Sequence, residues 1–148
     1  MTETPAETTP AGTSGPERCV VVVDRDLPPG LATNAAAVLA LSVGARYPDL
    51  PGDDLVDADA GVHPGLIPMG LPVLAAPAAT LAGLRAAALA RDLFVVSFPT
   101  AGQQTTDYAD FTQTVAATHP DDLTYLGLAL CGAAKPVRRL TGGLPLLR

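Results

Sequence analysis

The sequence predicts an α/β protein, a three-layer α/β/α sandwich built on a mixed, mostly parallel sheet. Two observations carry that expectation. The aliphatic runs CVVVV from Cys19, LFVVSF from Leu93 and TYLGLAL from Thr124 read as strands covered on both faces, since a half-wet strand would alternate apolar and polar residues. Alanine-rich segments with apolar residues three and four apart lie between such runs, as helices do when they carry a chain from strand to strand.

Met1 to Glu17 holds mostly Thr, Pro, Gly and Glu, too little apolar surface to fold, so a disordered tail is expected ahead of a single domain, 18–148. The first strand is Cys19 to Val23. Asp24 to Gly30 is a turn, and the helix after it is expected from Thr33, as N-cap, to about Ala45. Its residues Ala36, Leu39, Ala40 and Val43 form one small-residue face that suits close packing on a sheet. Tyr47 to Gly70, dense in Pro, Gly and Asp, reads as loop with one short strand, Asp54 to Asp57. Leu71 to Ala75 is a further buried strand, stopped by Pro77. TLAGLRAAALAR, Thr80 to Arg91, is a helix capped by Thr80 or a nearby residue, with Arg91 complementing the dipole at its C-terminus. After the strand Leu93 to Phe98, Pro99 to Thr106 is polar loop and Asp107 to Thr118 a helix. The last strand, Thr124 to Leu130, precedes a short helix from Lys135 that Gly142 and Gly143 end.

At 148 residues and 48% hydrophobic, the chain is long enough for one substantial core. With no Trp and 4% aromatic residues, Ala, Val and Leu must fill it. The net charge of −6 and pI near 4.6 oppose nucleic-acid binding. Four of the nine cations, Lys135, Arg138, Arg139 and Arg148, fall in the last fourteen residues and read as a solvated helix face. Cys19 and Cys131 are expected to be buried thiols rather than a disulfide framework. The N-terminus lacks the apolar core of a signal peptide, and no apolar run could span a bilayer. A cytoplasmic protein with no membrane contact is expected.

Several chemistries lack their residues. DRDLPPG after the first strand has one glycine, not G-x-G-x-x-G, and its prolines remove N–H groups that would cradle phosphate. His63 and His119 are far apart, and Asp53, Asp54, Asp57 and Asp59 lack the spacing of a calcium loop. No metal and no cofactor are expected. Ser97 lies in a strand and Ser42 in a helix, neither in a nucleophile-elbow setting, so no catalytic residue is assigned. What remains is polar residues beyond strand ends: Asp24 and Asp26, Asn34, and Thr100, Gln103, Gln104, Thr105, Thr106 and Asp107. Ligands of open α/β sheets bind beyond the carboxyl ends of strands, so a crevice lined by Asp24, Asp26, Asn34, Thr100, Gln103, Thr105, Thr106 and Asp107 is the candidate site. The same residues have structural uses, Asp26 in a turn and Asn34 and Asp107 at helix starts.

DRDL, the N-A-A-A-V-L helix start at Asn34, A-L-A-R-D-L-F-V-V, and L-G-L-A-L … V-R-R-L-T-G-G-L-P-L-L together resemble the type 2 peptidyl-tRNA hydrolase fold. They resemble more closely a bacterial family with that fold known only as a domain of unknown function. The resemblance runs from Arg18 to Arg148. The hydrolase family's pattern after the first strand is D-L-x-M-G-K-G-K-x-A-A-Q-x-x-H. Asp26, Leu27, Gly30, Ala35 and Ala36 match it. Its lysines fall on Leu31 and Thr33, its glutamine on Ala37 and its histidine on Ala40. The family's later aspartate falls on Thr100. The resemblance implies the architecture, while the groups that would move protons or grip phosphate are replaced by inert ones.

The function expected is therefore binding of an unknown small molecule or protein in that crevice. A second reading is an ester hydrolase acting on peptidyl- or aminoacyl-tRNA, with Asp24, Asp26 or Asp107 as base and Lys135, Arg138 and Arg139 as RNA contacts. A third is a homodimer formed through the alanine-rich helices and the apolar tail Leu144 to Leu147.

Overall fold

A computed structural model describes residues 15–148. Strand β1 spans Arg18–Asp24 and helix α1 Pro29–Arg46. Two short strands, β2 (Leu55–Val56) and β3 (Val62–His63), form a small hairpin. Then come β4 (Val73–Ala76), α2 (Ala78–Leu89) and β5 (Phe94–Pro99). The one-turn α3 (Ala101–Gln104) and α4 (Tyr108–Ala116) lead through a 3-10 turn, Pro120–Asp122, to β6 (Tyr125–Gly132) and α5 (Ala134–Thr141).

The main sheet has the order β4-β1-β6-β5. β1 and β4 are parallel, and β6 runs antiparallel to both its neighbours, β1 and β5. Three of the four strands thus share a direction, but two of the three ladders are antiparallel, so "mostly parallel" describes the strands and not their pairing. The cause is the α3–α4 connection, which returns the chain to where β5 ended. There the Thr100 N–H donates to the Thr124 carbonyl, 2.9 Å away, and β6 enters from that end.

Alternation along β1 builds two cores. Val20 and Val22 pack toward α2 and α5 with Leu81, Ala88, Leu128, Leu130 and Val137. Cys19, Val21 and Val23 pack toward α1 with Ala32, Ala35, Leu39 and Val43. The sheet is therefore covered on both faces, which is why its central strands carry no polar alternation. The two cysteines, separate in sequence, are directly opposite each other in the β1–β6 register, and both are buried.

Two helix starts differ from expectation for one reason. Pro28 and Pro29 occupy the N-cap and first position of α1, and Pro77 is the N-cap of α2. Proline has its φ preset for a helix start and lacks an N–H that would go unused there. Thr33 and Thr80 fall inside the helices, their hydroxyls donating to the Pro29 and Pro77 carbonyls. Asp107 does cap α4, its carboxylate accepting the Ala109 N–H at 2.9 Å.

Of the tail expected over 1–17, residues 1–14 lie outside the described residues. Pro16 is buried and the Glu17 N–H donates to the Gly132 carbonyl, so order begins ahead of β1. At the other terminus Leu146 bridges Leu74, and the Leu147 N–H donates to the Val73 carbonyl. Leu144 and Leu147 pack on the cores, so this tail covers the β4 edge within its own chain. Among the described residues no helix is long and apolar enough to cross a membrane.

Candidate functional site

A cleft of about 500 Å³ opens on the α1 face of the sheet, between α1, β5 and the α3–α4 arm. Its volume lies in the range of small-molecule sites. α1 contributes Val38, Leu39 and Ser42, one turn apart on the flank that faces β5. β5 contributes Val96 and Phe98, whose side chains belong to the α1-side core, together with Pro99. Ser97 also borders the cleft, but its hydroxyl accepts from the Arg85 Nε–H at 2.9 Å. Arg85 belongs to α2, on the opposite face, so the strand alternation turns this serine away from the cleft.

The arm supplies the remaining wall. Gly102 lies flat on two rings: a Cβ there would come within 3.0 Å of Phe98 and 3.2 Å of Phe111. Tyr108 and Phe111 meet edge to face, ring centroids 5.8 Å apart, the arrangement favoured by aromatic quadrupoles. Thr105, Thr106 and Asp107 complete the lining. The Thr105 and Ser42 hydroxyls donate to the Ala101 and Val38 carbonyls, leaving oxygen lone pairs as acceptors. Among the described residues no lysine, arginine or histidine borders the cleft, and the one carboxylate there, Asp107, already holds the start of α4.

Of the candidate residues read from sequence, Thr105, Thr106 and Asp107 come together in the cleft, and the others lie apart from its lining. Asp24 closes the turn after β1 by accepting the Asp26 N–H at 2.9 Å. Asp26 is exposed, 4.0 Å from the Arg25 guanidinium, which is also exposed. Asn34 is exposed on α1 and Gln103 on α3. Thr100 receives the Thr124 hydroxyl at 2.8 Å, tying the end of β5 to the start of β6. The positions that resemblance aligns with the hydrolase's functional groups, Leu31, Thr33, Ala37, Ala40 and Thr100, do not line the cleft either.

Sequence reasoning missed the aromatic wall, because it sought polar residues at strand ends. A signal was available: three of the six aromatic residues, Phe98, Tyr108 and Phe111, fall within fourteen positions of one another.

The other ionisable groups named above lie away from the cleft lining. In the β2–β3 hairpin Asp57 lies 2.9 Å from His63 Nε2 and accepts the Asp59 and Gly61 N–H groups. His63 first, then these amides, hold the Asp57 carboxyl below its ordinary value. Asp54 accepts the Gly65 N–H. The acidic cluster thus folds its own loop, and among the described residues no three His, Cys, Asp or Glu side chains gather as a metal site. Lys135, Arg138 and Arg139 are exposed on α5. That helix packs its Val137 into the core on the face opposite the cleft.

The family model described as a protein of unknown function (DUF2000) matches residues 17–148. A solved structure of a protein of unknown function, Atu0240 from Agrobacterium tumefaciens str. C58, is similar with a TM-score of 0.79 at 23% identity. The similarity covers 87% of this chain and 96% of that one, and it bears on the fold. No curated protein matches the sequence.

Proposed function

The chain belongs to the DUF2000 family, and from its cleft we propose a binding protein rather than an enzyme, with a type 2 peptidyl-tRNA hydrolase-like fold. The ligand is a small, uncharged molecule with a flat apolar body and one or two hydrogen-bond donors. The observation that carries this reading is the lining: Phe98, Tyr108 and Phe111 with Val38 and Val96, hydroxyls at Ser42 and Thr105, and, among the described residues, no cationic side chain. Aromatic walls grip a planar apolar body, and a few placed acceptors orient it. An anionic ligand would meet no compensating charge, and burying it so is costly.

The hydrolase reading meets two obstacles. Asp107, the one carboxylate at the cleft among the described residues, is committed to the α4 cap. The basic residues that would hold RNA sit on α5, across the sheet from the cleft.

Thermal unfolding of the full chain against a set of planar, uncharged fragments tests the proposal. A binder raises the midpoint in a concentration-dependent way. Val38→Trp, which fills the cleft from a partly exposed position, abolishes the effect. If no fragment shifts the midpoint, or if the shift survives in V38W, the cleft is not the binding site.

A further inference from the structure

Cys19 is the second residue of β1 and Cys131 the penultimate residue of β6. In the antiparallel ladder they stand directly opposite each other, and both side chains belong to the α1-side core. Opposed residues of antiparallel strands have Cα atoms about 4.5–5.5 Å apart. That separation falls inside the roughly 4.4–6.8 Å range of natural disulfides. Two thiols on the same face at this spacing are within the Cα separation that a disulfide requires.

We propose that Cys19 and Cys131 are a dithiol site that a peroxide converts into a cross-strand disulfide joining the two central strands. The Cys19 thiolate attacks one oxygen of hydrogen peroxide, breaking the O–O bond; Cys19 becomes the sulfenic acid and hydroxide leaves, taking up a proton to form water. The Cys131 sulfur then attacks the Cys19 sulfur, forming the S–S bond, and the sulfenic oxygen leaves as a second water with the Cys131 proton. Two sulfurs lose one electron each, and one peroxide is reduced to two waters.

The surroundings fit this order of events. Hydrogen bonding from Cys131 holds the Cys19 thiol below its ordinary value, whereas the same contact and burial push Cys131 up. Cys131 is paired with Cys19 on one side and Phe94 on the other, whereas Cys19 lies outside the β1–β4 register, which begins at Val21. Cys19 is the sulfur nearer the open edge, and its thiolate is the nucleophile. Both side chains are buried, 1% and 0% exposed, but each lies one residue from the end of its strand. Fraying of that sheet corner, rather than global unfolding, exposes them. Once closed, the bond is reached by a small reductant through the same fraying. It spans most of the described chain, and cross-links closing long loops restrict the unfolded state most.

The test uses the full chain, reduced and then exposed to millimolar hydrogen peroxide under native conditions. Thiols are titrated after denaturation, mass is measured intact, and unfolding is followed with and without dithiothreitol. The expected result is loss of both thiols, a mass lower by two hydrogens, and a melting midpoint higher by roughly 5–15 °C that dithiothreitol reverses. Thiols that remain titratable, or that gain oxygen as sulfinic acids without the cross-link, would overturn the proposal. In Cys131→Ser, a dimedone adduct at Cys19 supports the assigned order of attack, and its absence, with wild-type oxidation intact, contradicts that order.

Discussion

Leu39 of α1 lies directly over Gly127 of β6: a Cβ on the glycine would sit 3.1 Å from Leu39 Cδ1 and 2.8 Å from the Val22 carbonyl oxygen. Gly127 is paired with Val23 on one side and Phe98 on the other. This contact seats α1 against the sheet next to the strand that lines the cleft. Leu39 is itself part of that lining.

Gly127→Ala is expected to destabilise the fold by about 1–3 kcal/mol, the usual cost of overpacking, since the backbone oxygen of Val22 cannot yield as a flexible side chain would. Leu39→Ala leaves a cavity instead and costs about 2–5 kcal/mol. Chemical denaturation of the two variants measures both. A G127A protein as stable as wild type would mean that α1 is not held at this distance.

Asp107 separates cap from catalyst. Asp107→Ala is expected to cost about 0.5–2 kcal/mol through loss of the α4 cap, and Asp107→Ser to restore most of it. Equilibrium unfolding reads the difference. Equal loss in both variants would indicate that the carboxylate does something other than hold the Ala109 N–H.

Hydrolysis offers a sharper distinction. Incubation of the pure protein with N-acylated aminoacyl-tRNA should release no acyl group above the buffer rate. Release that vanishes in Asp107→Asn would make the cleft an active site.

The hairpin should respond to acid. Asp57 has a folded-state pKa below its ordinary value of 3.8, so its contribution is present above that value and disappears as pH falls through the lower, folded one. Protection of the Asp59 and Gly61 amides, taken relative to their intrinsic exchange rates, is expected to fall only below about pH 4, and in Asp57→Asn to be reduced already at neutral pH. Protection unchanged down to pH 2 would show that the carboxylate does not lock the loop.

The strands and long helices were legible because each is a run of one period: CVVVV and TYLGLAL admit no wet face, and Leu39 to Val43 repeats a turn. The starts of α1 and α2 were not, because Thr33 and Thr80 are good caps in isolation while Pro28, Pro29 and Pro77 take that role in the fold. β3 and α3 are too short to show a period at all. The Cys19–Cys131 pairing depends on β6 entering next to β1, a fact of sheet order that neither segment encodes locally. The cleft follows the same logic. Thr105, Thr106 and Asp107 could be read as polar residues past a strand. The facing of Phe98 and Phe111 across Gly102 arises only when the arm folds back beside β5.

The binding account is tested most directly by titrating isotope-labelled protein with the planar fragment that most raises its melting midpoint, while following backbone amide signals. The account predicts saturable shifts at Val96, Phe98, Gly102, Thr105 and Phe111, absent in V38W. Shifts confined to Asp24–Asp26 or to Lys135–Arg139, with the amides of the aromatic wall unmoved, would contradict it.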